Sequence, residues 1–326
     1  MKKNKNYVDL KDQPVPEGQH LLEVDDLKMY FHTEDGVVHA VDGVSYTLDR
    51  GETLGVVGES GSGKSVTAMT IMGLISMPPG KIEGGDVRYR GRSILEMTEE
   101  EMQHIRGNDI AMIFQDPMTS LNPVYKIGKQ VGEGLRLHRG YSKQEALKRA
   151  TELLDLVGIP EPTTALDVTI QAQIIELMQE MQEKNGNAII MITHDLGVVA
   201  DMADKIMVMY AGRPVEFGTA EEIFYESRHP YTWGLIRSIP EQAIDEKKPL
   251  TPIHGNPPSL MNLPEGCVFS PRCPYATDKC RKQRPERVVT ESGHYSACHY
   301  SGDPEFLKNA PETSRSRKDS KKGGEA

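Results

Sequence analysis

Short apolar runs alternate with helix-like stretches along most of the chain from Leu21 onward. Three runs are apolar enough to predict buried strands, at residues 53–57, 109–114 and 188–193. Residues 142–156 predict a helix because Ser142 is an N-cap three residues before Glu145. Residues 167–183 predict another, since their apolar positions recur at helical spacing. Strands alternating with helices predict an α/β domain with a parallel sheet.

The composition of the chain changes near Pro240. From there to Pro258 it is rich in proline and loop-forming residues, then it carries every cysteine, and it ends in a polar run. We therefore expect an N-terminal tail at residues 1–20, an α/β domain at 21–240, a loop-rich extension at 241–305 and a disordered tail at 306–326.

Charge and hydropathy narrow the class of protein. The 326 residues are 37% hydrophobic, enough for one large domain with an appendage. A net charge of -10 argues against a general nucleic-acid-binding protein, which needs clustered Lys and Arg. No run approaches eighteen apolar residues, and the start lacks an apolar signal-peptide core. We expect a cytosolic chain that reaches a membrane only through a protein partner.

A glycine-rich segment after the first predicted strand matches the phosphate-binding pattern G-x-x-x-x-G-K-[ST]. Its residues are Gly58, Glu59, Ser60, Gly61, Ser62, Gly63, Lys64 and Ser65. The glycines let backbone N–H groups face phosphates, Lys64 reaches the β and γ oxygens, and Ser65 places a hydroxyl on Mg²⁺. The pattern predicts a nucleotide-binding P-loop, which by itself does not separate kinases, GTPases, helicases and transport ATPases.

Three further strings resemble those of ABC ATPases, in the form found in oligopeptide and dipeptide importers. Gln115, which precedes DPMTSLNP, resembles the Q-loop glutamine, implying a contact with Mg²⁺ and the attacking water. The string EPTTALD resembles the end of Walker B and the D-loop. It implies Glu161 as general base and Asp167 as a contact to the opposite subunit. His194, after the strand ending in MIT, resembles the H-loop histidine that contacts the γ-phosphate.

The resemblance covers nearly the whole chain, from Leu21 to His299, because HPYT at 229–232 and GNPP at 255–258 resemble the C-terminal extension of these importer ATPases. It implies an ABC ATPase domain at 21–240, which contains a sheet with flanking helices and a partly truncated helical subdomain, followed by the cysteine-containing extension. It also implies an aromatic residue that stacks on adenine. Tyr30 or Phe31 stands ahead of the P-loop for this role; we assign Phe31, with core packing as the alternative.

The four cysteines, at positions 267, 273, 280 and 298, lie in the extension. In a reducing cytosol such a cluster suggests a metal before a disulfide, but the spacing C-x₅-C-x₆-C-x₁₇-C does not name the metal. Some members of the resembled family carry a [4Fe-4S] cluster here, which places iron–sulfur ahead of zinc. Reduced structural thiols are the alternative. The ligands would be Cys267, Cys273, Cys280 and Cys298, and the metal would staple the extension.

One segment that the resemblance leads us to expect is missing. ABC ATPases carry an LSGGQ-like signature, a helix and an apolar strand ending in the Mg²⁺-supporting Asp, all before the glutamate matched by Glu161. Here Pro160 runs directly into Glu161. Without that Asp, Ser65 and Gln115 remain as Mg²⁺ contacts, and we expect a destabilised or partly open sheet. A true deletion, an error in the sequence and a noncatalytic variant are the open explanations.

The resemblance implies an ATP-binding subunit, on the cytoplasmic face of the membrane, that energises peptide import by hydrolysing ATP with Mg²⁺. Its implied partners are a homologous ATPase, two membrane permeases and, indirectly, an external peptide-binding protein, with no nucleic acid. The alternative is a nucleotide-binding subunit without turnover. Dipeptide, oligopeptide and nickel importers share this architecture, so the substrate stays open.

Overall fold

The computed structural model describes residues 10, 13–114, 122–156, 168–239 and 253–311. The strands are β1 (Leu22–Thr33), β2 (Gly36–Leu48), β3 (Thr53–Val57), β4 (Gly80–Tyr89), β5 (Arg92–Ser93), β6 (Ile189–Thr193), β7 (Lys205–Tyr210), β8 (Arg213–Thr219), β9 (Val288–Val289) and β10 (Tyr295–Ser296). The helices are α1 (Lys64–Ile71), α2 (Glu99–Ile105), α3 (Ile127–His138), α4 (Lys143–Leu156), α5 (Val168–Asn185), α6 (Leu196–Met202), α7 (Ala220–Tyr225), α8 (Pro230–Arg237), α9 (Asp278–Lys282) and α10 (Pro304–Leu307).

The chain divides into two compact units. One contains Glu96–Asn185 together with the N-terminal residues to Gln19, and its described elements are the helices α2 to α5. The other contains His20–Leu95 and everything from Gly186 onward, including all the strands named above. Among the described residues, no helix combines the length and apolar character needed to cross a bilayer.

A six-stranded sheet in the order β6-β3-β7-β8-β10-β9 organises the second unit. Strand β3, second in this order, is buried at every position and pairs in parallel with both β6 and β7. The predicted strands at 53–57 and 188–193 are thus confirmed as β3 and β6. Within the described residues β6 is the edge of this sheet, and its side chains are only half-buried.

A second, antiparallel sheet in the order β2-β1-β4-β5 belongs to the same unit. Its long strands β1 and β2 form a hairpin whose register runs from Leu22 opposite Leu48 to Thr33 opposite Gly36. The glycine at this turn has φ of 141°, in the region that favours glycine. The hairpin brings Ala40, in the first half of β2, next to Gly63 of the P-loop.

Both predicted helices are confirmed in the unit that contains Glu96–Asn185. α4 begins with the predicted capping box, because the backbone N–H of Ser142 donates to Glu145 Oε2 at 2.8 Å and the N–H of Glu145 donates to Ser142 Oγ at 3.3 Å. α5 covers the second prediction, at Val168–Asn185. The helices α3 and α4 pack closely at Gly132, where an added Cβ would lie 3.3 Å from the carbonyl oxygen of Ala146.

The predicted strand at residues 109–114 is wrong. Only an isolated bridge between Arg106 and Ile110 forms there, and the side chains of Ile113 and Phe114 are 76% and 51% exposed. A strand needs a hydrogen-bonding neighbour. The described residues of its own unit offer helices and that single bridge, so an apolar run typical of a strand has no sheet to join.

The C-terminal extension shares the core of the six-stranded sheet. Val268 and Phe269 belong to the same buried cluster as Val57 of β3 and Val208 of β7. β10 also extends the sheet, since Tyr295 and Ser296 pair with β8. The extension is therefore not an appendage with a separate core.

The boundary of the predicted disordered tail at residue 306 is wrong. Phe306 and Leu307 belong to α10, and the Phe306 ring lies 5.3 Å from that of Trp233 and 5.5 Å from that of Tyr275. Burial of the aromatic ring stabilises this short helix against the extension. Residues 312–326 of the predicted tail lie outside the described residues.

Candidate functional site: the P-loop and its surroundings

The P-loop connects the carboxyl end of β3 to α1 and packs tightly against two neighbouring segments. A Cβ on Gly58 would lie 2.2 Å from the carbonyl oxygen of Met209, and one on Gly63 would lie 2.3 Å from that of Ala40. The Gly212 N–H donates to the carbonyl oxygen of Ser62 at 3.0 Å. Glycine is required at both positions, because any side chain would displace the loop.

Lys64 lies folded over the P-loop. Its Nζ donates to the carbonyl oxygens of Gly58 and Glu59 at 2.7 and 2.9 Å and approaches Ser62 Oγ at 3.3 Å. Burial lowers the pKa of the Lys64 ammonium, and the nearby carboxylate of Glu59 opposes that shift. A partly desolvated cation held at the loop attracts anions more strongly than one in open water.

The N-terminus of α1 opens into the loop. Its N-cap is Gly63, with φ of 98°, and no side chain caps the first turn. The backbone N–H groups of that turn are therefore available to a ligand, and the helix dipole favours an anion there. Ser65 is exposed, in agreement with a hydroxyl that can reach a bound ion.

Two residues that no sequence motif indicated for this role, Tyr231 and Arg272, hold the loop. The Glu59 N–H donates to the hydroxyl of Tyr231 at 2.8 Å, and Arg272 forms an ion pair with the Glu59 carboxylate. These residues lie 172 and 213 positions along the chain from Glu59. No local sequence signal predicts a contact over such separations.

His194 leaves the sheet at the same edge as the P-loop. Val57, the last residue of β3, is in parallel register with Thr193, the last residue of β6. The next residues of the two strands, Gly58 and His194, therefore both follow the carboxyl ends of neighbouring parallel strands, where α/β sheets bind ligands. The His194 side chain is exposed.

The two candidates for adenine stacking differ in their surroundings. The hydroxyl of Tyr30 donates to Asp42 Oδ1 at 3.1 Å, and its ring lies 4.2 Å from that of His39. Burial and the Asp42 carboxylate raise the pKa of Tyr30 to about 12. Phe31 is half-buried in β1, opposite Val38. Tyr30 therefore has a packing role of its own, which leaves Phe31 as the candidate.

Three predicted site residues, Gln115, Glu161 and Asp167, lie outside the described residues. The junction between residues 160 and 161 lies there as well. Their roles in catalysis and Mg²⁺ binding remain predictions.

The four cysteines line one small cavity of about 20 Å³, the space of roughly one water molecule. Burial raises the pKa of the Cys273 thiol to about 11 and of Cys298 to about 12, and it raises that of Cys267 as well. Among the described residues, which include all four, no three His, Cys, Asp or Glu side chains are arranged to hold a metal. The predicted iron–sulfur cluster is therefore not supported.

Two protein families match the chain. The family described as "ABC transporter" matches residues 41–195, and "Oligopeptide/dipeptide transporter, C-terminal region" matches residues 215–280. The oligopeptide transport ATP-binding protein OppD of Bacillus subtilis is 49% identical, over 84% of this chain and 87% of OppD. The chain belongs to the oligopeptide/dipeptide family of ABC transporter ATP-binding subunits. The P-loop, His194 and the C-terminal extension described above thus lie in a chain of the ABC ATPase family, whose members hydrolyse ATP with Mg²⁺.

A second relative supports the same assignment. The dipeptide transport ATP-binding protein DppD of Escherichia coli is 44% identical, over 87% of this chain and 97% of DppD. The match to OppD spans 312 positions, although 84% of the 326 residues here is only about 274. OppD therefore has residues within the aligned region that this chain lacks. A shorter chain is what the missing signature segment predicts.

Solved structures confirm the fold class. The ATP-binding cassette MJ0796, in a dimer bound to ADP and phosphate, superposes with a TM-score of 0.53 at 21% identity. The match covers 61% of this chain and 98% of MJ0796. At that identity the likeness shows the ABC ATPase fold of a P-loop NTPase, with its mixed α/β sheets and helices.

Proposed function

We propose that this chain binds ATP and, by hydrolysing it, energises the uptake of peptides by a membrane transporter. The observation that carries the proposal is the N-terminus of α1, which no side chain caps and which directly follows the glycine-rich loop. The ammonium group of Lys64 lies against the same loop, bonded to the Gly58 carbonyl oxygen. The names of the relatives, which refer to oligopeptide and dipeptide transport, support peptides as the substrate class.

The proposed roles follow the family pattern residue by residue. Backbone N–H groups of residues 58–65 and Lys64 bind the phosphates, and Phe31 stacks on the adenine. Ser65 and Gln115 contact Mg²⁺, which offsets the charge that develops on the transferred phosphoryl oxygens. Glu161 activates the attacking water and His194 contacts the γ-phosphate, while Asp167 lies against the opposite ATPase subunit.

The proposed assembly has two ATPase subunits and two membrane permeases, with this chain peripheral on the cytoplasmic face. A peptide-binding protein on the other side of the membrane delivers the substrate. Within the chain, the proposed ATPase domain spans residues 21–240 and the extension begins near 241.

Binding of Mg·ATP to the purified chain, measured by titration calorimetry, is the first test. Lys64→Met removes the phosphate-binding cation and should weaken binding by roughly a hundredfold or more. Lys81→Met is the matched control, because Lys81 is an exposed lysine of β4 that pairs with Glu83. Equal affinity of wild type and Lys64→Met would refute ATP binding at this loop.

A second candidate function is a subunit that binds ATP without turnover. The absence of a signature motif and of the Walker B aspartate from the sequence favours it, as does the position of β6 at the edge of the described sheet. Removing one preorganised catalytic group commonly costs about 10² to 10³ in rate. ATP hydrolysis by the assembled transporter decides: turnover abolished by His194→Ala in this chain supports catalysis, and ATP binding without such turnover supports the alternative.

Mass spectrometry tests whether Pro160 and Glu161 are adjacent in the natural chain. Protein isolated from its native cell should give a peptide reading LVGIPEPTTALD if the deletion is real. A longer chain with a signature and an apolar strand before Glu161 would restore the ordinary hydrolytic mechanism.

The four cysteines carry a separate proposal, a thiolate-bound metal that staples the extension. Their convergence on one cavity supports it, although the thiols would have to turn to form a ligand set. Iron, acid-labile sulfide and zinc measured on protein purified without oxygen, with the visible spectrum, separate an iron–sulfur cluster from zinc. Four freely alkylated thiols in metal-free, folded protein would establish reduced structural thiols instead.

A further inference from the structure

Arg272, one residue before the second cysteine of the extension, is buried with every N–H group of its guanidinium bonded. The side chain is 4% exposed. Nη1 donates to Glu59 Oε2 at 2.5 Å and to Tyr210 Oη at 3.3 Å, Nη2 to Glu59 Oε1 at 3.0 Å and to the Ile253 carbonyl at 3.1 Å, and Nε to the His254 carbonyl at 2.9 Å. Five N–H donors thus meet five acceptors, and two belong to the same P-loop carboxylate.

Glu59 connects this guanidinium to the phosphate-binding lysine. Its carboxylate pairs with Arg272, its backbone N–H donates to Tyr231, and its carbonyl oxygen accepts from Lys64 Nζ. All three polar groups of one P-loop residue are therefore fixed, two of them by residues far along the chain. Arg272 sets where the second residue of the loop lies.

A carboxylate in a phosphate-binding loop disfavours the binding of phosphates, because both groups are negatively charged. ATP brings several negative charges to the loop, and an unpaired Glu59 would repel them at short range in a partly desolvated site. The bidentate pair with Arg272 neutralises that charge and holds it in one direction. A guanidinium suits this task because its planar fork matches a carboxylate and stays protonated.

We propose that Arg272 is a positioning residue for the nucleotide: it neutralises and orients Glu59, so that the extension forms part of the ATP-binding site. This rests on the proposed function, in which the P-loop binds ATP. The competing explanation is that Arg272 only fastens the extension to the sheet. The two explanations predict different effects of removing Arg272 on nucleotide affinity. Only the positioning role makes that effect depend on the Glu59 carboxylate and on the charge of the nucleotide.

The test compares full-length variants for their affinity to Mg·ATP, ADP and AMP by titration calorimetry. Arg272→Met should weaken ATP binding by roughly tenfold or more, with a smaller loss for ADP and the smallest for AMP. The double variant Arg272→Met/Glu59→Gln should recover affinity to within about threefold of Glu59→Gln alone, because no unpaired carboxylate remains. Arg281→Met removes the same charge from an exposed arginine of the extension and should bind as wild type.

Urea unfolding of each variant establishes that it is folded under the assay conditions. If Arg272→Met does not fold, Arg272→Gln replaces it, because an amide keeps hydrogen-bond donors for the neighbouring carbonyl groups and removes the charge. The double variant is then Arg272→Gln/Glu59→Gln, with the same expected recovery. Unchanged ATP affinity, a loss that Glu59→Gln does not rescue, or an equal loss for AMP and ATP would each overturn the proposal. A wild-type chain that binds no ATP would instead refute the proposed function beneath it.

Discussion

His294 Nε2 lies 3.0 Å from Glu216 Oε1, and the two side chains are 1% and 0% exposed. The pair joins the extension, which contains His294, to β8, which contains Glu216. The Glu216 carboxylate also accepts backbone N–H bonds from Arg228 at 2.5 Å and His229 at 3.2 Å. A buried carboxylate is tolerated only when its oxygens are satisfied. Through this buried contact the extension is bonded directly to a strand of the six-stranded sheet.

Removing His294 should therefore destabilise the whole unit. His294→Ala removes one hydrogen-bond partner from a fully buried carboxylate, which should lower the unfolding free energy by roughly 1–3 kcal/mol. Urea titration monitored by circular dichroism measures the loss. The control is Lys308→Ala, which breaks the exposed pair with Glu305 and should change stability little. Equal, small effects of both variants would contradict the assigned role of the buried pair.

The P-loop glycine at position 63 should not tolerate a side chain. Gly63→Ala places a Cβ 2.3 Å from the Ala40 carbonyl at φ of 98°, so the unfolding free energy should fall by roughly 1–3 kcal/mol and ATP affinity should fall with it. Gly134→Ala is the matched control in α3, where nothing lies within 4 Å. That change should stabilise by up to about 1 kcal/mol without altering ATP binding. Unchanged stability and affinity in Gly63→Ala would show that the loop moves freely.

Stability should fall in mild acid because of His229. Burial lowers the pKa of His229 from 6.5 to about 4, against the opposing effect of the Glu216 carboxylate. Between these pH values the unfolded chain binds more protons, so this contribution is complete above about pH 6.5 and is lost as the pH drops towards 4. The loss amounts to about 3 kcal/mol.

Unfolding free energy measured from pH 7.5 to 4.5 in wild type and His229→Asn checks this. The variant should show a shallower decline, and His254→Asn, an exposed histidine, should keep the wild-type slope. A slope that is the same in all three proteins would assign the acid sensitivity to other groups.

Hydrogen exchange should distinguish the two parallel strands. β3 pairs on both sides, whereas β6 pairs with β3 alone among the described residues. The amides of residues 189–193 that face away from β3 should exchange at rates close to those of exposed backbone, while those of β3 stay protected. Equal protection of the two strands would mean that another strand covers this edge and that the sheet is complete.

The sequence by itself determined the local parts of the site. The P-loop, the capping box of α4 and the buried strand β3 each depend on a few consecutive residues, whose backbone preferences and apolar pattern act over one turn or one strand. The family strings around His194 and in the extension likewise identified the fold class before any contact was known.

Only the tertiary structure decided the rest, because it depends on pairs of residues distant along the chain. The apolar run at 109–114 has the pattern of a strand but, among the described residues, pairs only through the single bridge at Ile110, since pairing is a property of the sheet and not of the segment. Arg272 reaches Glu59 across 213 positions because the extension folds onto the core of the sheet. The same folding brings four widely spaced cysteines to one cavity without forming a ready metal site, a distinction that spacing alone does not make.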